Sequence, residues 1–274
     1  MNKISIITPC FNAEKYIEET CLSVINQTAI LKGRAQLQYV ICDGKSTDCT
    51  LDIIDRINSK YITVVSEPDT GMYAALSKGL QLADGDICAY INAGDYYHKC
   101  TFDIVLDIME QKKANWLTGY SFSYNEKSYA FPEFLPYRFR KAFFEHGLYG
   151  TVLPYVQQES TFWSSSLNSQ IDYEFLSTLK LAGDYYLWLK FSKVSTLKIV
   201  DAYLGGFKTH ENQLSKQREL YRNEVVKLTT KPNLLDFILA YIDKGIWYFV
   251  PNKIKKKMNN DNIFRFDRNL NKWI

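Results

Sequence analysis

The side chains best suited to chemistry sit where short apolar runs stop. Thr8-Pro9-Cys10-Phe11-Asn12, Asp43-Gly44-Lys45-Ser46, Glu67-Pro68-Asp69-Thr70-Gly71 and Asn92-Ala93-Gly94-Asp95 each follow such a run. Carboxylates in these places can accept hydrogen bonds from a polar ligand, take a proton or hold a divalent cation. No GxGxxG follows the first run and no GxxxxGK[ST] occurs anywhere, so the glycine loops that cradle phosphates in dinucleotide-binding and P-loop proteins are missing. A phosphate-bearing ligand would need another partner, such as a cation bridging its oxygens to a carboxylate. Blander readings stay open: Asp43-Gly44 also suits a turn, Asp48 and Asp184 helix caps, Gln158 and Glu159 a solvated loop, and His210 a structural role.

The elements that must position these residues repeat a simple pattern. Ile4 to Ile7, Tyr39 to Cys42, Ile62 to Val65 and Ile87 to Ile91 are β-branched or apolar runs of strand length. The first three are each followed by helical spacing of apolar residues, over Glu14 to Gln27, Asp48 to Ile57 and Met72 to Ala83. Apolar strands alternating with helices predict an α/β fold with a mostly parallel central sheet. Ligands of such sheets bind beyond the carboxyl ends of the strands, so the polar segments above should converge on one crevice. After about residue 125 the pattern turns irregular and aromatic, and acceptor-facing structure is expected there.

Composition narrows the classes. With 274 residues, 46% apolar, the chain can bury one large core, and a net charge of +3 gives no ground for nucleic-acid binding. The six cysteines form no CxxC pair and no metal-ligand spacing with the three histidines, and read as reduced, packed thiols. The N-terminus shows no secretory pattern, so a cytoplasmic location is expected. Leu234 to Val250 is apolar but interrupted by Asp236, Asp243 and Lys244, too charged for a membrane span. Basic charge gathers at the end: residues 251–274 carry seven Lys and Arg against Asp261 and Asp267, a local charge of +5. An amphipathic basic extension of this kind can dock on an anionic membrane at the inner face of the cell, or pack on its own domain or on a homodimer partner.

Five blocks in order carry a resemblance. Ile6-Ile7-Thr8-Pro9-Cys10-Phe11-Asn12, Ser23-Val24-Ile25-Asn26-Gln27-Thr28, Val40 to Asp48, Glu67 to Gly79, and Gly85 to Asp95 are similar to the opening blocks of family 2 glycosyltransferases. The resemblance implies a Rossmann-like GT-A fold over residues 1–214, with a nucleotide-sugar half over 1–96 and an acceptor half over 97–214. A C-terminal helical extension would occupy residues 215–274. It further implies a nucleoside-diphosphate sugar donor, UDP- or GDP-linked, and a saccharide or lipid-linked acceptor, in bacterial surface polysaccharide assembly.

On that resemblance, Pro9, Phe11, Asn12, Asp43, Lys45, Ser46, Asp69, Lys78 and Asn92 are expected at the donor, joined by Gln158 and Glu159 from Gln157-Gln158-Glu159-Ser160-Thr161-Phe162. Asn92-Ala93-Gly94-Asp95 occupies the place of the family's acidic metal motif but keeps only Asp95, which with His210 would hold Mn2+ or Mg2+. Leu181-Ala182-Gly183-Asp184-Tyr185-Tyr186-Leu187-Trp188-Leu189 is similar to the segment carrying the base of inverting members, which points to Asp184. The eroded motif at Asn92 and Gly94 motivates one rival, a non-catalytic nucleotide-sugar-binding or assembly protein. A nucleotidyltransferase is disfavoured because Thr8 to Ala13 contains no Gly, Lys or Arg.

Overall fold

The computed structural model describes residues 2–112, 114–120, 122–127, 129–132, 134–209, 213 and 216–274. The chain opens with β1 (Lys3–Cys10), α1 (Ile17–Ile25), the short α2 (Thr28–Leu31), β2 (Gln36–Asp43), α3 (Thr50–Ile57), β3 (Ile62–Ser66), α4 (Met72–Leu82) and β4 (Ile87–Tyr90). Next come β5 (Tyr96–Tyr97), α5 (Thr101–Lys112), β6 (Trp116–Thr118), β7 (Phe122–Asn125), β8 (Ala130–Pro132), α6 (Lys141–Glu145) and β9 (Thr161–Ser164). After them run α7 (Tyr173–Thr178), α8 (Gly183–Ser192), β10 (Lys198–Val200), β11 (Gly205–Thr209), α9 (Arg218–Leu228), α10 (Leu234–Phe249) and α11 (Asn252–Met258). Three short strands finish the chain: β12 (Ile263–Phe264), β13 (Phe266–Asp267) and β14 (Lys272–Trp273).

Among the described residues the main sheet has the order β12-β10-β6-β9-β4-β1-β2-β3. It is parallel except at β9, which runs antiparallel to both β4 and β6. The chain steps outward from β1 through β2 to β3, then returns on the other side of β1 as β4. That reversal makes the carboxyl ends of β1 and β4 a topological switch point, where the two strand ends diverge and leave a crevice. Every residue of β1 from Ile4 to Cys10 is buried, as is all of β4, which is why these strands read as unbroken apolar runs rather than alternating ones.

A second sheet, β5-β11-β7-β8, stands beside the first. The aromatic stretch after residue 125, expected to face an acceptor, largely does something else. Tyr137, Phe139, Phe143 and Phe144 are buried, packing with Trp116, Tyr149 and Trp247, while Tyr129, Phe131 and Phe134 are exposed. The reason is area: rings this large dominate core burial when one face of α6 and α8 must be covered.

Residues 216–274 are largely helical, as expected of a C-terminal helical extension, and they are tied into the molecule. β12 pairs with β10 at the sheet edge, and α9 packs on α8. Helix α10 begins with a capping box between Asn233 and Asp236 and is turned inside out. Its buried face carries Asp236, Ala240, Asp243 and Trp247; Asp243 receives both Nε and Nη2 of Arg140, at 2.6 and 3.0 Å, and Asp236 lies 2.8 Å from His146 Nδ1. Leu234, Leu235, Ile238, Tyr241, Ile242 and Phe249 point outward, Phe249 at 86% exposure. Lys255, read above as part of a basic surface, is instead buried, its ammonium bonded to the carbonyls of Leu135 and Trp247. Among the described residues no helix is long and apolar enough to cross a membrane.

Gly79 allows α4 to lie directly on β1 and β2: a Cβ there would run into Ile7 and the Cys42 sulfur. Gly79→Ala should therefore destabilise the fold by about 1–3 kcal/mol through overpacking, despite the better helix propensity of Ala. Urea unfolding reads this as a lower midpoint, and an unchanged midpoint would show that the α4–β1 contact yields.

Candidate active site

The three carboxylates expected at the site are each held by a different device. Asp43 ends β2 at 2% exposure. Its Oδ2 accepts from Ser46 N (3.0 Å) and Ser66 Oγ (2.6 Å), and its Oδ1 from Ser46 Oγ. The turn reading of Asp43-Gly44 is thus realised, with the acid as anchor of its loop. Lys45 and Asn12 both adopt left-handed backbone (φ 68° and 49°), and the two loops interlock through Asn12 N to Ser46 Oγ (2.8 Å) and Thr47 N to Asn12 Oδ1 (2.9 Å). Gly44 leaves room for Asp69 and the Phe11 ring to approach, since a Cβ would stand 2.9 Å from Asp69 Oδ2 and 3.4 Å from Phe11 Cδ2. Phe11 is 61% exposed at the head of β1, an apolar plate open to solvent beside buried acid and amide groups.

One donor-site expectation does not join this cluster. Pro9 is buried inside β1, opposite Cys42 and beyond the point where β4 pairs, so its missing N–H costs no ladder bond and its ring is not presented to a ligand. Lys78 pairs with Glu67 (2.8 Å) in a groove of about 410 Å³ between α4 and α7, lined also by Asp69, Ser77, Tyr173 and Glu174. Asp48 is not the cap of α3, which is Cys49; it stands one residue earlier, its Oδ1 accepting from Thr50 N (3.0 Å).

Asp95 follows β4 in a turn that Gly94 makes possible at φ 115°. Thr20 of α1 pins that turn: its hydroxyl accepts from Gly94 N (2.8 Å) and donates to Asp95 O (2.7 Å), while Tyr124 OH donates to Gly94 O (2.6 Å). The Asp95 carboxylate, 3% exposed, accepts from Gln158 Nε2 (3.0 Å) and from Lys208 N of β11 (2.9 Å). Burial raises its pKa to about 7, against the opposing effect of the Lys208 N–H and charge and of Gln158. Gln158 and Glu159 are buried, 9% and 0% exposed, in a single 3-10 turn, so the solvated-loop reading of them is wrong. A buried polar pair at this position needs internal partners, and Asp95 is one of them.

The group at Asp95 suits a hard cation in kind. Each of its oxygens keeps a lone pair beyond the bond it accepts, and two neighbouring buried amide oxygens, Asn92 Oδ1 and Gln158 Oε1, have no hydrogen-bond partner. Magnesium and manganese take such oxygen donors, usually with one or two carboxylates and the rest from substrate phosphate and water. Among the described residues no group of three His, Cys, Asp or Glu side chains could hold a metal by itself. His210 lies outside the described residues.

Asp184 is the second residue of α8, after Gly183, and not the cap that its position suggested; Ala182 occupies the cap and offers no side-chain acceptor. Half-buried, its Oδ1 accepts from Tyr185 N (2.7 Å) and lies 3.4 Å from Tyr73 OH, which also donates to Leu181 O (3.0 Å). Burial lifts its pKa to about 7, opposed by the Tyr185 N–H and Tyr73 and assisted by the charge of Glu224. Tyr90 is buried, and burial with the nearby charges of Asp184 and Glu159 raises its pKa.

Sequence reasoning missed Lys208, Glu224, Thr20 and Tyr73. Lys208 contributes a backbone N–H, which no residue type advertises. Tyr73 stands inside the quoted block Glu67 to Gly79, where its helical neighbours drew attention only as core.

The opening strand block has known counterparts. The model of the family described as glycosyl transferase family 2 matches residues 5–164. The Bacillus subtilis putative teichuronic acid biosynthesis glycosyltransferase TuaG is 34% identical over 122 residues, 43% of this chain and 46% of the relative. The Escherichia coli UDP-Glc:alpha-D-GlcNAc-diphosphoundecaprenol beta-1,3-glucosyltransferase WfaP is 30% identical over 130 residues, 47% and 49% respectively. The chain thus spans about half the length of these curated relatives. Among solved structures, Staphylococcus aureus TarS 1–349 in complex with UDP-GlcNAc superposes with a TM-score of 0.62 over 93% of this chain and 70% of that one, at 17% identity. Glucosyl-3-phosphoglycerate synthase of Mycobacterium tuberculosis, in complex with Mn2+, UDP and phosphoglyceric acid, gives 0.54 over 85% and 80%, also at 17% identity. At that identity the likeness carries the architecture, which is the GT-A fold.

Because Thr20 supplies both a buried acceptor and a buried donor to the Asp95 turn, Thr20→Val should cost about 1–3 kcal/mol. Thermal or urea unfolding of the variant measures it. A variant as stable as the parent would mean the turn holds without α1.

Proposed function

Because the family model covers more than half of the chain, the protein belongs to glycosyl transferase family 2, and on that premise we propose that it moves a sugar from a uridine diphosphate sugar to a hydroxyl of a saccharide or lipid-linked acceptor, with inversion at the anomeric carbon. Bacterial surface polysaccharide assembly is the setting, supported by the activities that TuaG and WfaP are named for. The observation that carries the reading is Asp184. A half-buried carboxylate at the head of a helix, held by the Tyr185 N–H and near Tyr73 OH, with its proton affinity lifted toward neutrality by burial, is what a general base for an acceptor hydroxyl requires.

In this mechanism Asp184 takes the acceptor proton as the hydroxyl oxygen attacks the anomeric carbon, and the bond from that carbon to the diphosphate oxygen breaks on the opposite face. Phe11 offers a plate for the base, with Asp43 and Asp69 as acceptors for its polar edge and ribose. Asp95, with the amide oxygens of Asn92 and Gln158, would hold Mn2+ or Mg2+. When bound, that cation neutralises charge gathering on the leaving diphosphate. Gln158 and Lys208 N fix the Asp95 carboxylate in one orientation.

The outward face of α10 supports peripheral attachment to an anionic bilayer. Leu235, Ile238, Tyr241, Ile242 and Phe249 form its apolar side, and Lys253 and Lys257 follow at once on α11, with Arg265, Arg268 and Lys272 exposed beyond them. Apolar residues ringed by cations match lipid headgroups and acyl chains together. A second copy is a poorer occupant, since a two-fold interface would set the same basic rims against each other.

Two measurements test these statements. Asp184→Asn should lower kcat about 10²–10⁴-fold with donor binding retained, assayed as UDP release and by the anomeric configuration of the product. In the parent enzyme kcat rises with pH through about 7, because the base must be deprotonated and burial has raised its pKa. The native state also holds that proton more tightly than the unfolded chain, so ionising Asp184 costs stability as pH rises through the same range, and the Asn variant should be no less stable than the parent at pH 8. A retained configuration, or full turnover without Asp184, would sink the base assignment. For the membrane, the double variant Leu235→Glu with Ile242→Glu should lose co-sedimentation with phosphatidylglycerol vesicles while the parent binds these and not phosphatidylcholine vesicles; a parent that ignores both and dimerises through α10 in light scattering would favour the second copy.

A further inference from the structure

Helix α8 has no side-chain cap at Ala182, and the N–H groups of the segment that leads into it, residues 180–182, would stand without acceptors unless another part of the chain supplied them. A carboxylate from α9 does so. Glu224 of α9 accepts from three consecutive backbone groups, Lys180 N at Oε1 (3.0 Å) and Leu181 N (2.7 Å) and Ala182 N (2.6 Å) at Oε2. On the carbonyl side of the same segment, Tyr73 OH donates to Leu181 O (3.0 Å). The Tyr73 ring lies so close to Gly183 that a Cβ there would overlap it. The three residues that launch α8 are therefore clamped from both sides, by α9 through their N–H groups and by α4 through a carbonyl.

Resting on the reading of Asp184 as base, we propose that Glu224 is a positioning residue for it: by holding residues 180–182 against α9, its carboxylate sets where α8 begins and hence where Asp184 stands in the cleft. An anion at a helix N-terminus is favoured by the helix dipole as well as by the three bonds, so the arrangement is strong where a neutral residue would be weak. Glu224 also acts on Asp184 as a like charge, in the direction that holds the proton on. The other groups facing Asp184 are phenols: Tyr73 from α4, Tyr90 from β4, Tyr185 from α8 itself, Tyr221 from α9 and Tyr155 from the loop before the 3-10 turn. Burial raises all five, so they stay neutral across the working pH. Arg218 and Arg222 of α9 act on Tyr155. Glu224 is thus the charge whose removal Asp184 should feel.

The test pairs kinetics with a direct titration. In Glu224→Gln one amide oxygen replaces two carboxylate oxygens, so kcat should fall about ten- to a hundredfold as Asp184 loses its placement, with the KM for the UDP-sugar little changed. The acid limb of the pH profile should move to lower pH, because the like charge is gone. Carboxyl carbon NMR of the parent and of Glu224→Gln, with the Asp184 signal assigned by its loss in Asp184→Asn, should show the same downward movement of the midpoint. Glu224→Asp keeps the charge and should keep the midpoint while lowering kcat through its shorter reach. A kcat unchanged in both Glu224→Gln and Glu224→Asp overturns the proposal, and so does a midpoint unmoved in Glu224→Gln. A midpoint that moves while Asp184→Asn still turns over leaves the positioning intact and overturns only the base reading.

Discussion

Acids taken out of water at the open end of a parallel sheet are the constraint on which this molecule depends. Asp43, Asp95 and Asp184 are each buried or half-buried, and a carboxylate in that state must find donors or remain protonated. Asp43 is served by Ser46 and Ser66, and Asp184 in part by the adjacent Tyr185 N–H. Asp95 draws on Gln158 and Lys208, which are 63 and 113 residues away, and Asp184 reaches Tyr73 across 111 residues. The acids therefore lock remote parts of the chain to one another, and the architecture around the crevice can be read as the set of segments that deliver those donors.

The second sheet makes sense in those terms. β11 comes close enough to present Lys208 N only because Gly205 passes over the Glu159 carbonyl and Gly206 over the Tyr96 ring, contacts that a Cβ would prevent. β7 adds Tyr124, whose hydroxyl holds Gly94. The antiparallel β9 follows directly on the 3-10 turn that carries Gln158 and Glu159, so inserting that strand between β4 and β6 brings the turn beneath Asp95. One half of the domain builds the crevice, and the other half supplies the polar partners that allow an acid to be buried in it.

This division explains what could be read from residues alone. β1 to β4 were legible because strands covered on both faces must be apolar throughout, and their ends were legible because polar residues cannot continue such runs. The clustering of Phe11, Asn12, Asp43 and Asp69 followed from the switch-point rule. Lys208 was invisible because it acts through its backbone, and Glu224 because a glutamate on a surface-patterned helix looks like any other until α8 is seen to lack a cap. For α10 the apolar residues left membrane docking and packing on the domain both open; Arg140 and the neighbourhood of His146 give Asp243 and Asp236 interior partners, and that pairing turns the apolar residues outward. The short strand β12 carries too few residues for any periodicity to show.

The surroundings of the two titrating acids differ in a way that fits two separate tasks. Asp95 is bordered by amides, a lysine and a backbone N–H, donors and dipoles that suit a group meant to face other charge. Asp184 has Tyr73, Tyr90, Tyr155, Tyr185 and Tyr221 about it, all neutral, and burial, assisted by the charge of Glu224, lifts it toward pH 7. Two aspartates of one chain can thus be driven to similar proton affinities by opposite surroundings, one polar and one aromatic. A ring of phenols also limits water, which matters because an acid in open solvent would relax to its usual pKa near 4 and become a weak acceptor for a hydroxyl proton. The aromatic content of the second half of the chain is therefore part of the acid–base chemistry as much as of the core: removing rings from around Asp184 would admit water and lower its basicity even with every hydrogen bond to it preserved.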